Sequence, residues 1–184
     1  MRVAAFALAC AILCACGAEE PVTDADKAMF LRANDLARFG YHFDNVEQLE
    51  TFSKKRQLDG AYEVTYRFKT VDGAPKVLFL HVSVKVGTSE ADASLNQGAE
   101  KLGLLIGFKK SGVEERALPD TPAGKLSLLV KEERPIGNVY TAVHGAKTYL
   151  LVMSGLYFDD PALWHKVIAP KMELFQSYSP QGKI

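Results

Sequence analysis

The chain has no cysteine beyond residue 16 and no surplus of either charge. Its three cysteines are Cys10, Cys14 and Cys16, so no disulfide can link two later parts of the chain. Lys plus Arg and Asp plus Glu number 22 each, which gives a formal net charge of zero. A nucleic-acid-binding groove needs a concentrated positive field, and the one short basic cluster, residues 54–56, is interpreted as a solvated strand end or an anionic-lipid contact. These absences argue against a disulfide scaffold and against a nucleic-acid-binding protein.

Patterns of catalytic and metal-binding residues are also missing. No two histidines have the spacing of metal ligands, and Ser154 lacks the first glycine of a G-x-S-x-G nucleophile turn. The acidic doublets are adjacent residues, which point to opposite faces of a strand and cannot act together as a catalytic pair. The sequence therefore predicts no catalytic residues, no metal site and no cofactor. An enzyme stays an alternative only through a site built from distant residues, such as a cleft that gathers two of His81, His144, Glu132 and Asp160.

The first fifteen residues have the pattern of a secretory signal peptide. Arg2 precedes an apolar run over residues 3–13, and small residues follow it. This run is shorter than the roughly 20 apolar residues that a membrane-spanning helix needs. We therefore expect residues 1–15 to be removed and residues 16–23 to form a short tether.

The end of this segment, Leu13-Cys14-Ala15-Cys16, resembles the lipobox of bacterial lipoproteins. The resemblance implies cleavage before Cys16 and attachment of diacylglycerol and palmitate to the new N-terminal cysteine. Cys14 fits less well because bulky Leu13 precedes it, and Cys10 has alanine three residues before it. Gly17 follows the cysteine where inner-membrane retention calls for aspartate, which implies an outer-membrane protein that faces the periplasm.

Residues 24–180 are expected to form a single domain. Thr23 and Asp26 form a capping box, which predicts a helix that ends near Gly40. Apolar and polar residues alternate over residues 62–68, which predicts a strand with one buried face. Residues 77–86 are apolar on both faces over their first half, which predicts a central strand.

A second helix is predicted from Thr88 or Ser89, with Asp92 completing a capping box. One face of this helix carries Ala91, Leu95, Ala99, Leu102 and Ile106. Three glycines, at positions 98, 103 and 107, each cost about 1 kcal/mol relative to alanine in a helix. We therefore expect either that the helix frays after Leu102 or that close packing against the sheet compensates.

The last third predicts an antiparallel meander followed by a final helix. Strands are expected near residues 113–118, 125–134, 139–144 and 147–154. Asp159 or Asp160 caps the final helix, Pro161 occupies its first position, and Pro170 should bend it or split it. The predicted fold class is α+β: an α/β/α sandwich with one antiparallel sheet of about six strands and helices on its faces.

The closing hairpin and helix, residues 138–149 and 158–160 with the helix that follows, resemble the PsbP-like and Mog-type family of α/β/α sandwiches. That family contains extrinsic assembly or regulatory proteins that bind larger partners. The resemblance implies a non-enzymatic adaptor and supplies no catalytic residues.

Aromatic residues cluster in the last third, where Tyr157, Phe158 and Trp164 form a candidate binding surface. The alternative is that these rings fill the core, which is the more common role of aromatic residues at strand and helix periods. The expected function is a lipid-anchored binding protein or assembly factor with an envelope protein as partner. A carrier that holds a small amphiphile between sheet and helix is the second interpretation.

Overall fold

A single antiparallel sheet of eight strands forms the centre of the part of the chain that the structure describes. The computed structural model describes residues 18–57, 60–71, 78–121 and 123–180. The strands are β1 (Ala18–Glu19), β2 (Glu50–Arg56), β3 (Tyr62–Lys69), β4 (Phe79–Val86), β5 (Val113–Ala117), β6 (Lys125–Lys131), β7 (Arg134–His144) and β8 (Lys147–Ser154). Their order in the sheet is β1-β2-β3-β4-β8-β7-β6-β5, and each pair of neighbours is antiparallel. The expectation of about six strands was too low, because β1 and β2 extend one side of the sheet.

The helix predicted from Thr23 to Gly40 is divided into two pieces. The capping box is present, and α1 (Asp24–Ala28) is followed by a 3-10 helix at Ala33–Phe39 that ends at Gly40. Between them, the backbone N–H groups of Leu31 and Ala33 donate to the hydroxyls of Tyr149 (3.1 Å) and Tyr66 (3.0 Å). These hydroxyls accept hydrogen bonds from backbone N–H groups of this segment. The N–H groups are therefore satisfied although the helix does not continue.

Helix α3 (Glu90–Lys110) lies on one face of the sheet. It contributes Leu105 to a cluster with Val139, Leu150 and Val152, whose side chains point to that face. Alternating residues of the strands point to the opposite face, where they pack with the N-terminal segment and with α4 (Pro161–Ser177). The short helix α2 (Val46–Leu49) precedes β2 and packs against the same cluster.

Helix α4 begins as the sequence predicts, with Asp160 as its cap and Pro161 at its first position. The carboxylate of Asp160 accepts a hydrogen bond of 2.8 Å from the N–H of Ala162. Pro170 does not split the helix, which runs on to Ser177. At the far end, the Lys147 ammonium donates to the carbonyl oxygens of Phe175, Gln176 and Tyr178, and its positive charge lies where the helix dipole is negative.

The N-terminal residues expected as a tether enter the sheet instead. Ala18 and Glu19 form β1 and pair with Arg56 and Lys55. Cys16 and the predicted signal lie outside the described residues. Within the described parts of the chain, no helix combines the length and the apolar character needed to cross a membrane.

Candidate binding surface

Polar contacts with the sheet fix the rotational setting of α3. The side-chain amide of Gln97 donates to the carbonyl oxygens of Ala142 (3.2 Å) and Tyr149 (2.8 Å). One turn later, the ammonium of Lys101 lies 2.6 Å from the carboxylate of Glu115 on β5. These contacts hold one side of the helix against β5, β7 and β8, and so determine which side faces away.

Glu100 makes the third contact, with three polar side chains of β4. Its carboxylate accepts a hydrogen bond from Ser83 Oγ at 3.1 Å, and it lies 3.2 Å from Lys85 Nζ and 3.5 Å from His81 Nε2. Burial raises the pKa of Glu100, but hydrogen bonding by His81 and the charge of Lys85 outweigh this effect and lower the pKa below its ordinary value. The carboxylate is therefore ionised at neutral pH and ties α3 to the sheet.

The side of α3 turned away from the sheet is apolar; we call it the outer face, and it consists of Ala91, Leu95, Ala99, Leu102 and Ile106. All five residues are exposed, and the relative exposures of Leu95, Leu102 and Ile106 are 73%, 54% and 45%. Their spacing of three and four residues places them on one side of the helix. The predicted apolar face therefore exists, and it points to solvent.

No charged side chain interrupts the middle of the outer face. Between Asp92 and Lys109 the only charged residues are Glu100 and Lys101, and both make the contacts with the sheet described above. At a rise of 1.5 Å per residue, this leaves an uncharged length of about 24 Å. Exposed apolar residues that lie together on one surface are a candidate interaction site.

The glycines of α3 are not explained by packing against the sheet. A Cβ atom added at Gly98, Gly103 or Gly107 would meet no atom within 4 Å. The helix also does not fray after Leu102, because it continues to Lys110. Both explanations expected from the sequence are therefore wrong, and the glycines leave open space along the sides of the outer face.

The predicted aromatic surface is divided between core and solvent. The relative exposure of Phe158 is 4% and that of Trp164 is 0%, whereas that of Tyr157 is 42%. The rings of Phe158 and Trp164 lie 5.4 Å apart between centroids, and the buried amide of Asn138 holds the backbone of Phe158 through bonds of 2.7 and 2.9 Å. Only Tyr157 of the three can present its ring to a partner.

Tyr157 forms one wall of a cleft beside the end of α3. Phe108, Pro135 and Ile136 are the apolar residues that line it with Tyr157, and Ser154 and Gly155 complete it. The cleft has a volume of about 440 Å³ and opens onto the surface. It could take an apolar side chain of a partner, and it is a second candidate contact, separate from the outer face because Phe108 lies on the side of α3 that packs on the sheet.

The histidines do not gather into a catalytic arrangement. His81 accepts a hydrogen bond of 3.2 Å from Arg67 through Nδ1, and its other ring nitrogen faces Glu100. His42 and His144 are exposed and His165 is half-buried. Over the described ranges, no group of three His, Cys, Asp or Glu side chains could hold a metal ion.

Comparison with known proteins finds no matching family model, no matching curated protein and no matching solved structure. The lipobox and the likeness of the closing hairpin and helix to the PsbP-like family therefore stay predictions.

Sequence reasoning identified the apolar residues of the outer face but not its orientation. No sequence pattern indicates the orientation, because the polar residues Gln97, Glu100 and Lys101 lie on the side that contacts the sheet, where apolar residues are expected.

Proposed function

We propose that this protein is a lipid-anchored binding protein or assembly factor of the bacterial envelope, without catalytic activity. Its anchor is the lipid on Cys16, and its location is the outer membrane, facing the periplasm. The domain then lies close to the bilayer, because β1 begins only two residues after Cys16.

The outer face of α3 is the observation that carries this proposal. A helix that packs on a sheet normally turns polar residues to solvent, because exposed apolar surface is unfavourable in water. Here Leu95, Leu102 and Ile106 face solvent while Gln97 and Glu100 face the sheet. Leu105 also packs on the sheet, so α3 is apolar on both sides, and a binding partner that covers the outer face accounts for the exposed one.

The arrangement of helices also supports the finer description of the fold, an α/β/α sandwich of the PsbP-like type. Leu105 of α3 packs on one face of the sheet, and Trp164 and Phe175 of α4 pack in the cluster on the other. In that family, binding surfaces and not catalytic sites carry the function. Likeness of fold is weaker support than the outer face itself.

Photo-crosslinking in intact cells tests the proposal. A photoreactive amino acid at Leu102 should give protein adducts, because a bound partner covers this position. The matched control is Leu174 on α4, whose relative exposure of 44% is similar but which lies on the other side of the molecule. Adducts at neither position, or equal adducts at both, would contradict the proposal.

The alternative of an amphiphile carrier has less support. Such a carrier needs a deep cavity between the sheet and a helix, lined by the central strand. Leu80, Val82 and Val84 of that strand are completely buried and pack in the same cluster as Trp164 and Ile168. No observation favours the alternative of an enzyme. The partners of His81 are Arg67 and Glu100, and not His144, Glu132 or Asp160, which were the other candidates for an active-site cleft.

A further inference from the structure

The two ends of the outer face carry opposite charges. Asp92 lies beside this face in the first turn of α3, and Lys109 and Lys110 lie beside it in the last turn. This distribution suits the dipole of the helix itself. It also makes the helix complementary to an antiparallel copy of itself, because each acidic end then meets a basic end.

We propose that a second copy of this chain covers the outer face, with the two α3 helices antiparallel across a two-fold axis. This inference rests on the proposed function, since it names the partner of the same surface. A two-fold interface brings one patch against itself, so the patch must be self-complementary in shape and charge. The outer face meets both conditions.

The outer faces of two antiparallel α3 helices match in one register. When the axis passes at the level between Glu100 and Lys101, Leu95 of each copy lies opposite Ile106 of the other. The same register sets Ala99 opposite Leu102 and brings Asp92 next to the basic end of the other helix. The glycines lie beside this face and add no side chain there, so the distance between the two helices depends on the leucine, isoleucine and alanine side chains at the contact.

A lipid surface fits this face less well than a second copy does. Helices that lie on membranes have basic residues along the polar side and are attracted to anionic headgroups. The outer face has Asp92 at one end, and anionic headgroups repel its carboxylate. Membrane binding by α3 is therefore an outcome of the test and not the proposal.

The expected association is weak in solution and stronger on a membrane. A single pair of helices buries less than the roughly 800 Å² per partner of a standard interface. Two copies anchored in one membrane are held at a high effective concentration, which favours a weak contact. The test therefore uses the full chain in its membrane as well as the purified chain.

Cysteine crosslinking tests the antiparallel register. The expected result is that a chain with both Leu95→Cys and Ile106→Cys forms a closed disulfide-linked dimer on mild oxidation of membranes. Chains with either substitution alone should not crosslink, because like positions of the two copies lie about 16 Å apart along the helix. The unsubstituted chain controls for the native cysteines.

A charge substitution tests the same contact without a crosslink. Leu102→Asp places two carboxylates near the axis, and we expect it to raise the dissociation constant at least about tenfold. Leu174→Asp on α4 is the matched control and should leave the dissociation constant unchanged. Sedimentation of the purified full chain in mild detergent measures both, and thermal unfolding checks that both variants are folded.

Several results would overturn the inference. Crosslinking of the single-cysteine chains indicates a parallel pair, and no crosslink in any chain together with a monomeric mass excludes self-association. If the chain binds anionic vesicles, Leu102→Asp abolishes this binding and no dimer is found, the outer face is a lipid-binding surface. Photo-adducts at Leu102 with the mass of a different protein contradict a second copy of this chain as the partner. The proposed binding function is then still supported.

Discussion

The ammonium of Lys54 on β2 lies 3.2 Å from the carboxylate of Asp26 on α1, and both side chains are 1% exposed. The sequence predicted that the basic cluster 54–56 is a solvated strand end or an anionic-lipid contact, but the structure buries Lys54. The same carboxylate accepts hydrogen bonds from Thr23 Oγ1 (2.9 Å) and from the hydroxyl of Tyr178 (2.5 Å) near the end of the chain. Asp26 therefore joins the first helix, the sheet and the segment after α4.

We predict that Asp26→Asn strongly destabilises the domain. The Lys54 ammonium stays buried but loses the carboxylate that it contacts, and removal of one partner of a buried pair costs about 3–5 kcal/mol. The measurement is the free energy of unfolding in urea. Asp24→Asn is the matched control, because Asp24 lies in the same helix with its carboxylate fully exposed, and it should change stability by less than about 0.5 kcal/mol. Equal effects of the two substitutions would contradict a role for the buried pair.

Acid should destabilise the protein through Asp26 and Glu100. Burial raises the pKa of each carboxyl, but hydrogen bonds and nearby cations outweigh burial and lower both below the ordinary values of 3.8 and 4.5. A carboxyl whose pKa is lower in the folded state contributes stability above its unfolded pKa, and this contribution is lost as pH falls towards the folded pKa. The free energy of unfolding should therefore fall below about pH 4.5.

Glu100→Gln isolates one part of this pH dependence. The variant should be less stable than the unsubstituted chain at neutral pH, and the difference should shrink as pH falls because the carboxyl then protonates in the unsubstituted chain. Urea unfolding at several pH values measures the difference. A difference that stays constant down to strongly acidic pH would show that ionisation of Glu100 does not contribute.

Asn138 is expected to hold the loop before α4 in place. Its buried amide accepts a bond from the N–H of Phe158 and donates to the carbonyl oxygens of Phe158 and Ser127. Asn138→Ala leaves these backbone groups without that partner, at a cost of about 1–3 kcal/mol for each group that stays buried. Thermal unfolding measures the loss, and Asn34→Ala, at an exposed position, is the control. A small effect at both positions would indicate that other groups replace the amide.

Much of the local structure follows from short patterns in the sequence. The residues that cap helices identify the starts of α1, α3 and α4, and the two-residue alternation identifies β3. The break between Ala28 and Ala33 was not predictable in this way. It depends on the hydroxyls of Tyr66 and Tyr149, which lie 33 and 118 residues away from the backbone groups that they accept from.

The orientation of α3 shows the same limit at the candidate site. The helix has apolar residues on two sides, Leu95 and Leu102 on one and Leu104 and Leu105 on the other. Periodicity alone cannot choose between two apolar sides. The choice is made by polar groups such as Gln97, whose acceptors are 45 and 52 residues away in sequence.

Truncation of two aromatic side chains should separate core from surface near the start of α4. Trp164→Ala removes a fully buried ring that packs against Tyr140 and Phe158, and we expect a loss of about 3–5 kcal/mol in the free energy of unfolding. Tyr157→Ala should change stability by about 1 kcal/mol or less, because 42% of this residue is exposed whereas Trp164 is fully buried. Chemical unfolding of the two variants checks both values. If Tyr157→Ala also unfolds the domain, the tyrosine is structural and is not available as a contact for a partner.

The predicted anchor depends on Cys16, and Cys16→Ser should leave an unprocessed or soluble protein. Each buried methylene of an acyl chain contributes roughly 0.8 kcal/mol, so two or more chains retain the protein on a membrane, and serine has no sulfur to carry a thioether-linked lipid. Cell fractionation and intact mass measure the outcome. Cys14→Ser is the matched control, since this cysteine lies in the predicted signal, and it should leave both processing and retention intact. Unchanged membrane retention and unchanged mass after Cys16→Ser would show that the chain is not anchored through this residue. Effective concentration on a membrane would then no longer favour a weak contact between two outer faces.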